Sequence, residues 1–506
     1  MISQVLSRSR PHKMTAAVRY VKSFIHGKHV RGRGVARTLL DSSTSTPATE
    51  FHDVDEGQVS DAVESAASAQ PAWAALSPAA RGTILRRAAA ILNEETNDIQ
   101  VLESIDTGRV ISEMEGDVLS ATDCLEYFGG LAPTLGGQML DFDAPNWAYT
   151  RREPLGVTAG IGAWNYPLQS AIWKSAPALA FGNAMVFKPS EETPLTALRL
   201  AQVYAKAGLP PGLFNVVLGG GSVGASLVEH AAVRKVSFTG SVSTGKKVYA
   251  SCASQLKPAT MELGGKSALI VFEDTDVDDA VAGAMLANWY SNGQVCSNGT
   301  RVFVHASLHD AFVSKLVART QQLRVGPPLN PSSQVGPMVH ASHLAKVREY
   351  IRIGVVEDKA TLVYGGTFPS TTSSRIDPRG SYILPAIFTD CRDDMRIVQE
   401  EIFGMVLCVL PFESEAEVVA RANATSFGLS AGVFTNDLKR AHRVIQQLDV
   451  GTAWINTYNL APVELPWGGS KQSGMGRENG VAAAQSWTQL KSVYVAMEDK
   501  LANPFD

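Results

Sequence analysis

The pattern of apolar residues between positions 57 and 93 predicts two consecutive helices. Apolar side chains recur at helical spacing in the segment 57–75, at Val59, Val63, Ala66 and Ala67. Ser77 is a residue type that favours a helix N-cap, and Pro78 fits the first helical position after it. The second helix is therefore predicted to begin at Pro78 and to run towards Asn93.

After Arg152 the pattern changes, because short apolar runs now alternate with helical stretches. The runs predict strands at 155–163, 184–187, 214–217, 236–238, 268–272 and 302–304. Helical spacing returns between them, for example in 277–289 and 311–323. Such alternation predicts parallel sheets with helices on both faces. Two such blocks, before and after about residue 263, predict two α/β domains with sites at strand ends and between domains.

Composition limits the class of protein. The chain has 506 residues, of which 45% are hydrophobic and 19% charged, and its formal net charge is −4. These values are typical of a globular protein with two or three domains, and they disfavour nucleic acid or an acidic membrane surface as a partner. No apolar run reaches the ~18 residues of a membrane-spanning helix, so we expect no membrane span.

The start of the chain is basic. Residues 1–40 contain nine Lys and Arg residues, and the first acidic residue is Asp41. Residues 1–19 are expected to form a flexible or targeting segment. A mitochondrial presequence is one interpretation, and a solvated tail or a start of translation at Met14 is the other. The expected location is the cytosol, with the mitochondrial matrix as the alternative.

Cysteine usage bears on redox state and on metals. The five cysteines are widely spaced and none forms a CxxC pair. This spacing predicts a reducing compartment without a disulfide framework, and we predict no structural zinc and no catalytic metal.

Three residues are candidates for catalysis. Cys296 lies in the Gly-, Ser- and Asn-rich segment 293–299 and is either a thiolate nucleophile or a buried small apolar side chain. Glu262, between apolar residues and ahead of two glycines, is either a base that activates water or a solvated or paired carboxylate. Asn165, after an apolar run, suits a turn and also an amide that donates to an oxyanion.

Two further segments are candidates for binding a nucleotide. A strand that ends at Gly240-Ser241 before a helix offers free backbone N–H groups to a phosphate, although Gly-Ser turns are common. Lys188 and Glu191 follow the apolar run 184–187 and could hold the hydroxyls of a ribose, where a carboxylate disfavours a 2′-phosphate. The alternative for this pair is a surface ion pair.

Seven motifs in a fixed order resemble those of the aldehyde dehydrogenase superfamily, from about residue 20 to 498. They are GAWNYP (162–167), KPSEETP (188–194), FTGSVSTG (238–245), MELGGKSA (261–268), GQVCSNG (293–299), EEIFG (400–404) and PWGGSKQSGMGRENG (466–480). The resemblance implies oxidation of an aldehyde to a carboxylic acid with NAD as the cofactor. It also implies Cys296 as the nucleophile, Glu262 as the general base, and Asn165 with the backbone N–H of Cys296 as the oxyanion hole.

The cofactor contacts are likewise implied by the resemblance. They are Trp164, Lys188, Glu191, Gly240, Ser241, Gly245, Glu401 and Phe403. Among them Ser241 would take a pyrophosphate oxygen, Lys188 and Glu191 the adenosine ribose, and Glu401 the nicotinamide ribose, with Phe403 packed near the nicotinamide.

Within the superfamily the chain is most similar to 4-trimethylaminobutyraldehyde dehydrogenases and next to betaine aldehyde dehydrogenases, in segments 149–157, 165–190 and 462–480. Both substrates end in a quaternary ammonium, which an aromatic box with a nearby carboxylate binds well. The candidates are Tyr166, Trp173, Tyr290 and Trp467, with Glu464 as the anion. We expect 4-trimethylaminobutyraldehyde as the substrate, in carnitine biosynthesis, with activity on betaine aldehyde and aminoaldehydes. A broad-specificity enzyme with an apolar tunnel and a non-catalytic structural relative are the alternatives.

The resemblance also implies an architecture: an α/β aldehyde dehydrogenase fold with three parts. A Rossmann-like NAD-binding domain is expected over 20–135 and 155–263, a catalytic domain over 264–467, and a small β oligomerisation element over 136–154 and 482–500. The apolar, β-branched texture of 489–497 predicts a strand in this element. An exposed edge strand favours pairing, so we expect a homo-oligomer, with a homotetramer as its form.

Overall fold

Two sheets, each largely parallel, organise the chain. The structure is a computed structural model and describes residues 18–142, 145–369, 376–497 and 504–505. The segment expected to be flexible or targeting, 1–19, lies almost wholly outside the described residues. Within the described part, no helix is both long and apolar enough to cross a membrane.

The helices alternate with strands from residue 157 onwards, as the hydrophobic pattern predicts. They are α1 Glu56–Ala75, α2 Pro78–Glu94, α3 Thr96–Thr107, α4 Met114–Leu131, α5 Pro167–Ala180, α6 Leu195–Lys206, α7 Gly221–Glu229, α8 Val242–Ser254, α9 Val277–Trp289, α10 His309–Thr320, α11 Ala341–Val356, α12 Arg396–Gln399, α13 Glu415–Asn423, α14 Leu438–Ile445 and α15 Ala483–Trp487. The predicted cap of α2 is confirmed, because the Ser77 side chain accepts a hydrogen bond from the Ala80 N–H and Pro78 is the first helical residue.

The strands before residue 263 are β1 Arg19–Tyr20, β2 Ser23–Ile25, β3 Lys28–Val30, β4 Ala36–Leu40, β5 Pro47–His52, β6 Met139–Asp141, β7 Trp147–Pro154, β8 Val157–Ile161, β9 Ala184–Lys188, β10 Phe214–Val216, β11 Val233–Thr239 and β12 Ala259–Glu262. Those after it are β13 Ala268–Val271, β14 Arg301–His305, β15 Thr361–Tyr364, β16 Ala386–Thr389, β17 Val406–Phe412, β18 Phe427–Gly428, β19 Ser430–Phe434, β20 Thr452–Ile455, β21 Ser470–Lys471, β22 Gly474–Met475 and β23 Thr488–Val495.

The first large sheet has the order β22-β12-β11-β8-β9-β10-β2-β3, and its five central strands are parallel. Strands β8 and β9 are buried along their whole length, as expected for strands covered by helices on both faces. The strand order reverses between β8 and β11, so the loops at their carboxyl ends diverge and leave a crevice. This crevice is where the fold places a ligand site.

The second large sheet has the order β15-β16-β17-β14-β13-β19-β20 and is parallel except for β15. The change from one sheet to the other falls between β12 and β13, near the predicted division at about residue 263. Strand β22, which follows the strands of the second sheet in sequence, belongs to the first sheet and pairs antiparallel with β12. The bounds of the predicted domains themselves stay a prediction.

A three-stranded antiparallel sheet of β23, β7 and β6 joins two segments that are far apart in sequence. The strand predicted at 489–497 is β23, and it pairs with β7 of its own chain from Thr488↔Pro154 to Val495↔Trp147. It therefore has one partner strand within the chain, while its other edge forms the border of this sheet.

Candidate active site

A cavity of about 1290 Å³ lies at the crevice between β8 and β11 and extends to the loop before β14. The three candidate catalytic residues line it together: Cys296, Glu262 and Asn165. One arm of the cavity runs over the first sheet, and the other arm leads between α4, α5 and the segment 459–467. The structure thus brings together residues that lie 131 and 34 positions before Cys296 in the chain.

The loop that carries Cys296 is held in an unusual backbone conformation. Ser291 and Asn292 both have a φ of 55°, in the left-handed region that non-glycine residues seldom occupy. The backbone N–H of Ser291 donates to a carboxylate oxygen of Glu113, and the Asn292 amide donates to the Pro337 carbonyl and accepts from the Gly336 N–H. These bonds stabilise a conformation that would be strained by itself.

Asn165 follows β8 and precedes α5, which begins at Pro167. Its side chain is buried, and Nδ2 donates a 2.9 Å hydrogen bond to the carbonyl oxygen of Gln294. A primary amide has two N–H groups, so one is left to donate elsewhere. Since Asn165 and Cys296 line the same cavity, this second N–H can stabilise an oxyanion formed at the thiol.

Glu262 is the last residue of β12 and is buried. Neither carboxylate oxygen has a hydrogen-bond partner among the described residues. A side chain at Gly468 would press on Oε1 of Glu262, because a Cβ there would lie 2.7 Å away. Burial raises the pKa of Glu262 well above its ordinary value, and the carboxylate of Glu478 raises it further. Glu262 is therefore a buried carboxyl group that faces the cavity, and not a solvated or ion-paired surface residue.

Lys174 and Glu478 form a buried ion pair beside Glu262, with Nζ 2.5 Å from Oε1. Lys174 also donates to the hydroxyl of Thr239, and the hydroxyl of Ser237 donates to Glu478. Lys174 favours the charged form of Glu262, whereas Glu478 disfavours it. After burial, which is the largest cause of the raised pKa of Glu262, the two charges of this pair act on that pKa in opposite directions.

The thiol of Cys296 is electrostatically disfavoured as a thiolate when the enzyme is free. Burial, followed by the carboxylates of Glu262 and Glu401, raises the pKa of Cys296 to about 12. The backbone N–H groups of Cys296 and Ser297 act in the opposite direction. A thiol in these surroundings needs activation before it can react as a thiolate.

The arm over the first sheet has the features of a dinucleotide site. Lys188 ends β9, and its Nζ donates to the Pro189 carbonyl and lies 3.4 Å from Oε2 of Glu191. Burial lowers the pKa of Lys188, and Glu191 opposes that effect. Both residues line the cavity, together with Gly240 and Ser241 at the start of α8. Gly221 also lines this arm. A Cβ built at Gly221 would meet nothing within 4 Å, so the cavity has free space beside this residue.

Ser241 is the N-cap of α8, and its hydroxyl accepts from the Thr244 N–H. Ser241 and Gly240 stand where the backbone N–H groups of a helix start can receive a phosphate. Gly245, which is also among the predicted cofactor contacts, does not line the cavity. It lies one turn into α8 and is packed against Leu263, whose side chain would collide with any Cβ at this position.

At the junction of the two arms, Glu401 and Phe403 stand opposite Trp164. The Gly265 N–H donates to Oε1 of Glu401, and a Cβ at Gly264 would overlap the Glu401 carboxylate. The Phe403 and Trp164 rings are 5.1 Å apart, edge to face. All three predicted residues line the cavity.

The second arm carries the predicted aromatic residues. Tyr166, Trp173, Tyr290 and Trp467 all line the cavity, and the Trp173 and Trp467 rings are 5.8 Å apart, edge to face. Trp467 is fixed by a two-way backbone bridge to Glu478. Through Trp467, the aromatic arm is thereby connected to Glu478, whose carboxylate raises the pKa of Glu262.

Glu464, the predicted anion of the aromatic box, lies apart from the four predicted aromatic residues of this arm. It is exposed and does not line the cavity. A turn in which the Leu465 N–H donates to the Pro462 carbonyl directs Val463 and Trp467 inwards and leaves Glu464 on the solvent side. The acidic residues that line this arm are instead Asp117 and Asp123 of α4.

Sequence reasoning missed four charged residues of the site. Lys174 could have been noticed as a single cation in the otherwise apolar helix α5, and Glu478 lies inside the quoted motif 466–480. Arg109 and Asp117 form a buried ion pair behind the aromatic arm. No spacing in the sequence predicts that pair, because it joins a loop to a helix that begins after it.

Comparison of the sequence with known proteins identifies the family of the chain. The pattern of the aldehyde dehydrogenase family matches residues 32–493. A betaine aldehyde dehydrogenase of Mesorhizobium japonicum is 58% identical over 445 residues, which are 88% of this chain and 90% of that protein. One of Sinorhizobium fredii is 54% identical over 479 residues, 94% of this chain and 97% of that protein.

Solved structures extend the likeness to the fold. A betaine aldehyde dehydrogenase of Staphylococcus aureus in complex with NAD⁺ superposes with a TM-score of 0.92 at 34% identity and covers 96% of each chain. The predicted aldehyde dehydrogenase fold is thus confirmed. The similar proteins carry the name betaine aldehyde dehydrogenase, and not that of the 4-trimethylaminobutyraldehyde enzymes which the motifs place first. With a family match across most of its length and a site of the expected composition, the chain belongs to the aldehyde dehydrogenase family.

Proposed function

We propose that the protein oxidises a quaternary-ammonium aldehyde to the carboxylic acid, with betaine aldehyde as the first candidate. The cofactor is NAD, which accepts a hydride from the substrate carbon when bound. The observation that supports this proposal most directly is one continuous cavity. In it, Cys296 lies between the arm with the predicted nucleotide contacts and the arm lined by four aromatic side chains. Metal sites are not part of the proposal, and the described residues contain no group of three or more His, Cys, Asp or Glu placed to hold an ion.

The first chemical step is addition of Cys296 to the aldehyde carbon as a thiolate, after the thiol proton has passed to solvent. The carbon–sulfur bond forms as the C=O π bond opens. The free Nδ2 hydrogen of Asn165 and the backbone N–H of Cys296 donate to the oxyanion that forms. The addition is required because an aldehyde carbon becomes a good hydride donor only after a nucleophile has added to it. Loss of the hydride leaves a thioester on Cys296.

The second step is hydrolysis of this thioester. Glu262, which ends β12 in the same cavity, takes a proton from water as the water attacks the thioester carbon. The carbon–sulfur bond breaks, the carboxylic acid leaves, and the proton held by Glu262 passes to the Cys296 sulfur, which restores the thiol. Because the pKa of Glu262 is raised by burial, the residue is a stronger base than an exposed carboxylate once it is ionised.

The cofactor arm suits NAD better than a cofactor with a 2′-phosphate. Lys188 and Glu191 would hold the adenosine ribose, Ser241 the pyrophosphate and Glu401 the nicotinamide ribose, with Trp164 and Phe403 beside the nicotinamide. Glu191 lines this arm with a carboxylate that would repel a phosphate on the ribose.

The substrate proposal is supported by the aromatic arm and by the names of the similar proteins. Trp is the aromatic residue that attracts cations best, and the Trp173–Trp467 pair lies in the arm that ends at Cys296. A cation would also meet the carboxylates of Asp117 and Asp123 there. 4-Trimethylaminobutyraldehyde, with the link to carnitine biosynthesis, is the second candidate, since it has the same head on a longer chain.

A matched pair of substrates tests the proposal. Betaine aldehyde is compared with its neutral carbon isostere, in which a tert-butyl group replaces trimethylammonium, and the ratio of the two kcat/KM values is called the cation preference. We expect a preference of about tenfold or more, the size of a desolvated cation–π interaction. The same comparison with the longer pair shows which chain length is preferred. Equal kcat/KM for cation and isostere would contradict the proposal and support a broad apolar specificity.

The protein is further proposed to be a homo-oligomer, with a homotetramer as its form. The support is the sheet of β6, β7 and β23, which exposes the apolar side chains of Met139, Leu140, Leu490 and Tyr494. Sedimentation of the full chain measures the oligomer number. Leu490→Glu should lower it, whereas Leu286→Glu, an equally apolar exposed position elsewhere, should leave it unchanged.

A further inference from the structure

Arg109 lies directly behind the wall of the substrate arm. Its side chain is fully buried and donates to both carboxylate oxygens of Asp117. The guanidinium carbon is 4.1 Å from the centre of the Tyr166 ring and 5.9 Å from that of Tyr290. Asp117, Tyr166 and Tyr290 line the cavity, whereas Arg109 does not. The arginine therefore contacts the wall from the side opposite to a substrate.

The contacts of Arg109 reach the oxyanion residue as well. Nη1 lies 3.5 Å from the backbone carbonyl oxygen of Asn165, and Nε lies 3.5 Å from Oε2 of Glu113. Glu113 in turn accepts from the Ser291 N–H in the loop of Cys296, and the Ser291 hydroxyl contacts the Tyr166 hydroxyl at 2.6 Å. The buried cation of Arg109 thus contacts the aromatic arm, the carboxylate of Asp117 and the backbone of Asn165.

This placement has an electrostatic consequence for a cationic substrate. A ring binds a cation through the negative potential of its faces, and a cation already stacked on one face of Tyr166 repels a second cation on the other. The charge of Asp117 is likewise compensated by Arg109 in the low-dielectric interior. Tyr166 and Asp117, the two wall residues best suited to bind a cation, are therefore already in contact with Arg109.

We propose that Arg109 is a specificity-determining residue of the substrate arm, which weakens the attraction of Tyr166 and Asp117 for a cationic aldehyde and leaves Trp173 and Trp467 to hold the cation. This inference rests on the proposed function. It assigns unequal roles to aromatic residues that all line one arm. Tyr166 shapes the wall, and the tryptophan pair selects the charge.

Charge removal tests the role of Arg109 through the cation preference defined above. Arg109→Gln keeps a planar side chain that can hydrogen-bond Asp117 but has no charge, and it should raise the preference about tenfold. Asp117→Asn removes the carboxylate that accepts two hydrogen bonds from Arg109 and leaves only Glu113, 3.5 Å away, beside its charge, so it should lower the preference about tenfold. The double variant has neither charge and should return to within about threefold of the unmodified enzyme. Opposite changes that cancel are not produced by a loss of packing.

Arg109→Gln leaves Asp117 buried without a cation and could fail to fold, so a second pair of variants keeps Arg109 in place. Trp467→Leu should lower the cation preference about tenfold, whereas Tyr166→Leu should change it less than about threefold. Each variant is compared with the unmodified enzyme by its melting temperature and its affinity for NAD⁺. A Tyr166→Leu effect as large as that of Trp467→Leu, or single-charge variants that leave the preference unchanged, would overturn the inference.

The two proposals fail in different ways. The preference of the unmodified enzyme tests the proposed substrate, while the changes among variants test Arg109. An enzyme with no preference whose Arg109→Gln variant gains one would refute the first proposal and support the second.

Discussion

Nδ2 of Asn165 donates a 2.9 Å hydrogen bond to the carbonyl oxygen of Gln294, two residues before Cys296. This bond joins the end of the first sheet to the loop of the nucleophile. It orients the amide, so that its second N–H is fixed in direction before a substrate arrives. A preorganised donor of this kind stabilises an oxyanion without reorganisation during the reaction.

Asn165→Ala should therefore lower kcat/KM by about 10²–10³-fold, the usual effect of removing one oxyanion donor. The affinity for NAD⁺, measured by titration of protein fluorescence, should change little, because Asn165 does not lie in the nucleotide arm. Loop displacement is a different explanation, and the rate of alkylation of Cys296 by iodoacetamide separates the two. A rate within about threefold of the unmodified enzyme, with kcat/KM also unchanged, would refute the oxyanion role.

Glu262→Gln should have opposite effects on the thiol and on turnover. The Glu262 carboxylate is one of the groups that raise the pKa of Cys296, so a neutral amide should lower that pKa and speed alkylation at a fixed pH below it. Without the base, hydrolysis should slow by about 10²–10⁴-fold, and the acyl-enzyme should accumulate. Stopped-flow alkylation and intact-protein mass spectrometry after substrate addition measure the two effects.

Glu401→Gln is the matched control, because Glu401 also raises the pKa of Cys296. It should speed alkylation in the same way without accumulation of the acyl-enzyme. If both variants accumulated it equally, the general-base role of Glu262 would be refuted.

Glu191→Gln should relax the preference for NAD⁺ over NADP⁺. The carboxylate of Glu191 lies 3.4 Å from Lys188, and its removal leaves the lysine free to attract a 2′-phosphate. We expect the ratio of kcat/KM values for the two cofactors to fall about tenfold, with Glu192→Gln as the control that removes the same charge one residue later. Equal effects of both variants would indicate a general change in potential rather than recognition of the ribose.

The sequence allowed the layered α/β fold to be predicted, and also the three candidate catalytic residues that line one cavity, for different reasons. Buried parallel strands such as β8 and β9 are continuous apolar runs, so their positions are visible in the pattern. Cys296 and Glu262 were assigned because their motifs resemble those of a family. That Gly245 and Glu464 do not line the cavity could not be predicted, because a motif gives the neighbourhood of a side chain but not its direction.

The charged pairs could not be predicted, because their partners are distant in sequence or in different elements. Lys174 of α5 meets Glu478 across 304 residues. The pKa of Glu262 and the electrostatic potential of the substrate arm depend on which of these charged residues have a partner of opposite charge. These properties follow from tertiary packing alone.

Removal of Lys174 should affect both stability and the pH dependence of hydrolysis. Lys174→Met leaves Glu478 as a buried carboxylate without its cation, which costs about 3–5 kcal/mol in the free energy of unfolding and should lower the melting temperature. Lys174 also lowers the pKa of Glu262, so its loss should raise that pKa further. A base must be deprotonated to act, and the pH at which hydrolysis reaches half its maximum should therefore move upwards.

The double variant Lys174→Met/Glu478→Gln separates these effects, since it removes the unpaired carboxylate as well. Glu478 raises the pKa of Glu262, so its neutralisation should move the half-maximal pH back down while the melting temperature recovers in part. Single-turnover hydrolysis of the acyl-enzyme across pH, beside thermal unfolding, measures both quantities. A single variant with reduced stability but an unchanged pH profile would show that the pair only supports the fold. A profile that moves up and then back follows only if the pair controls the charge of Glu262.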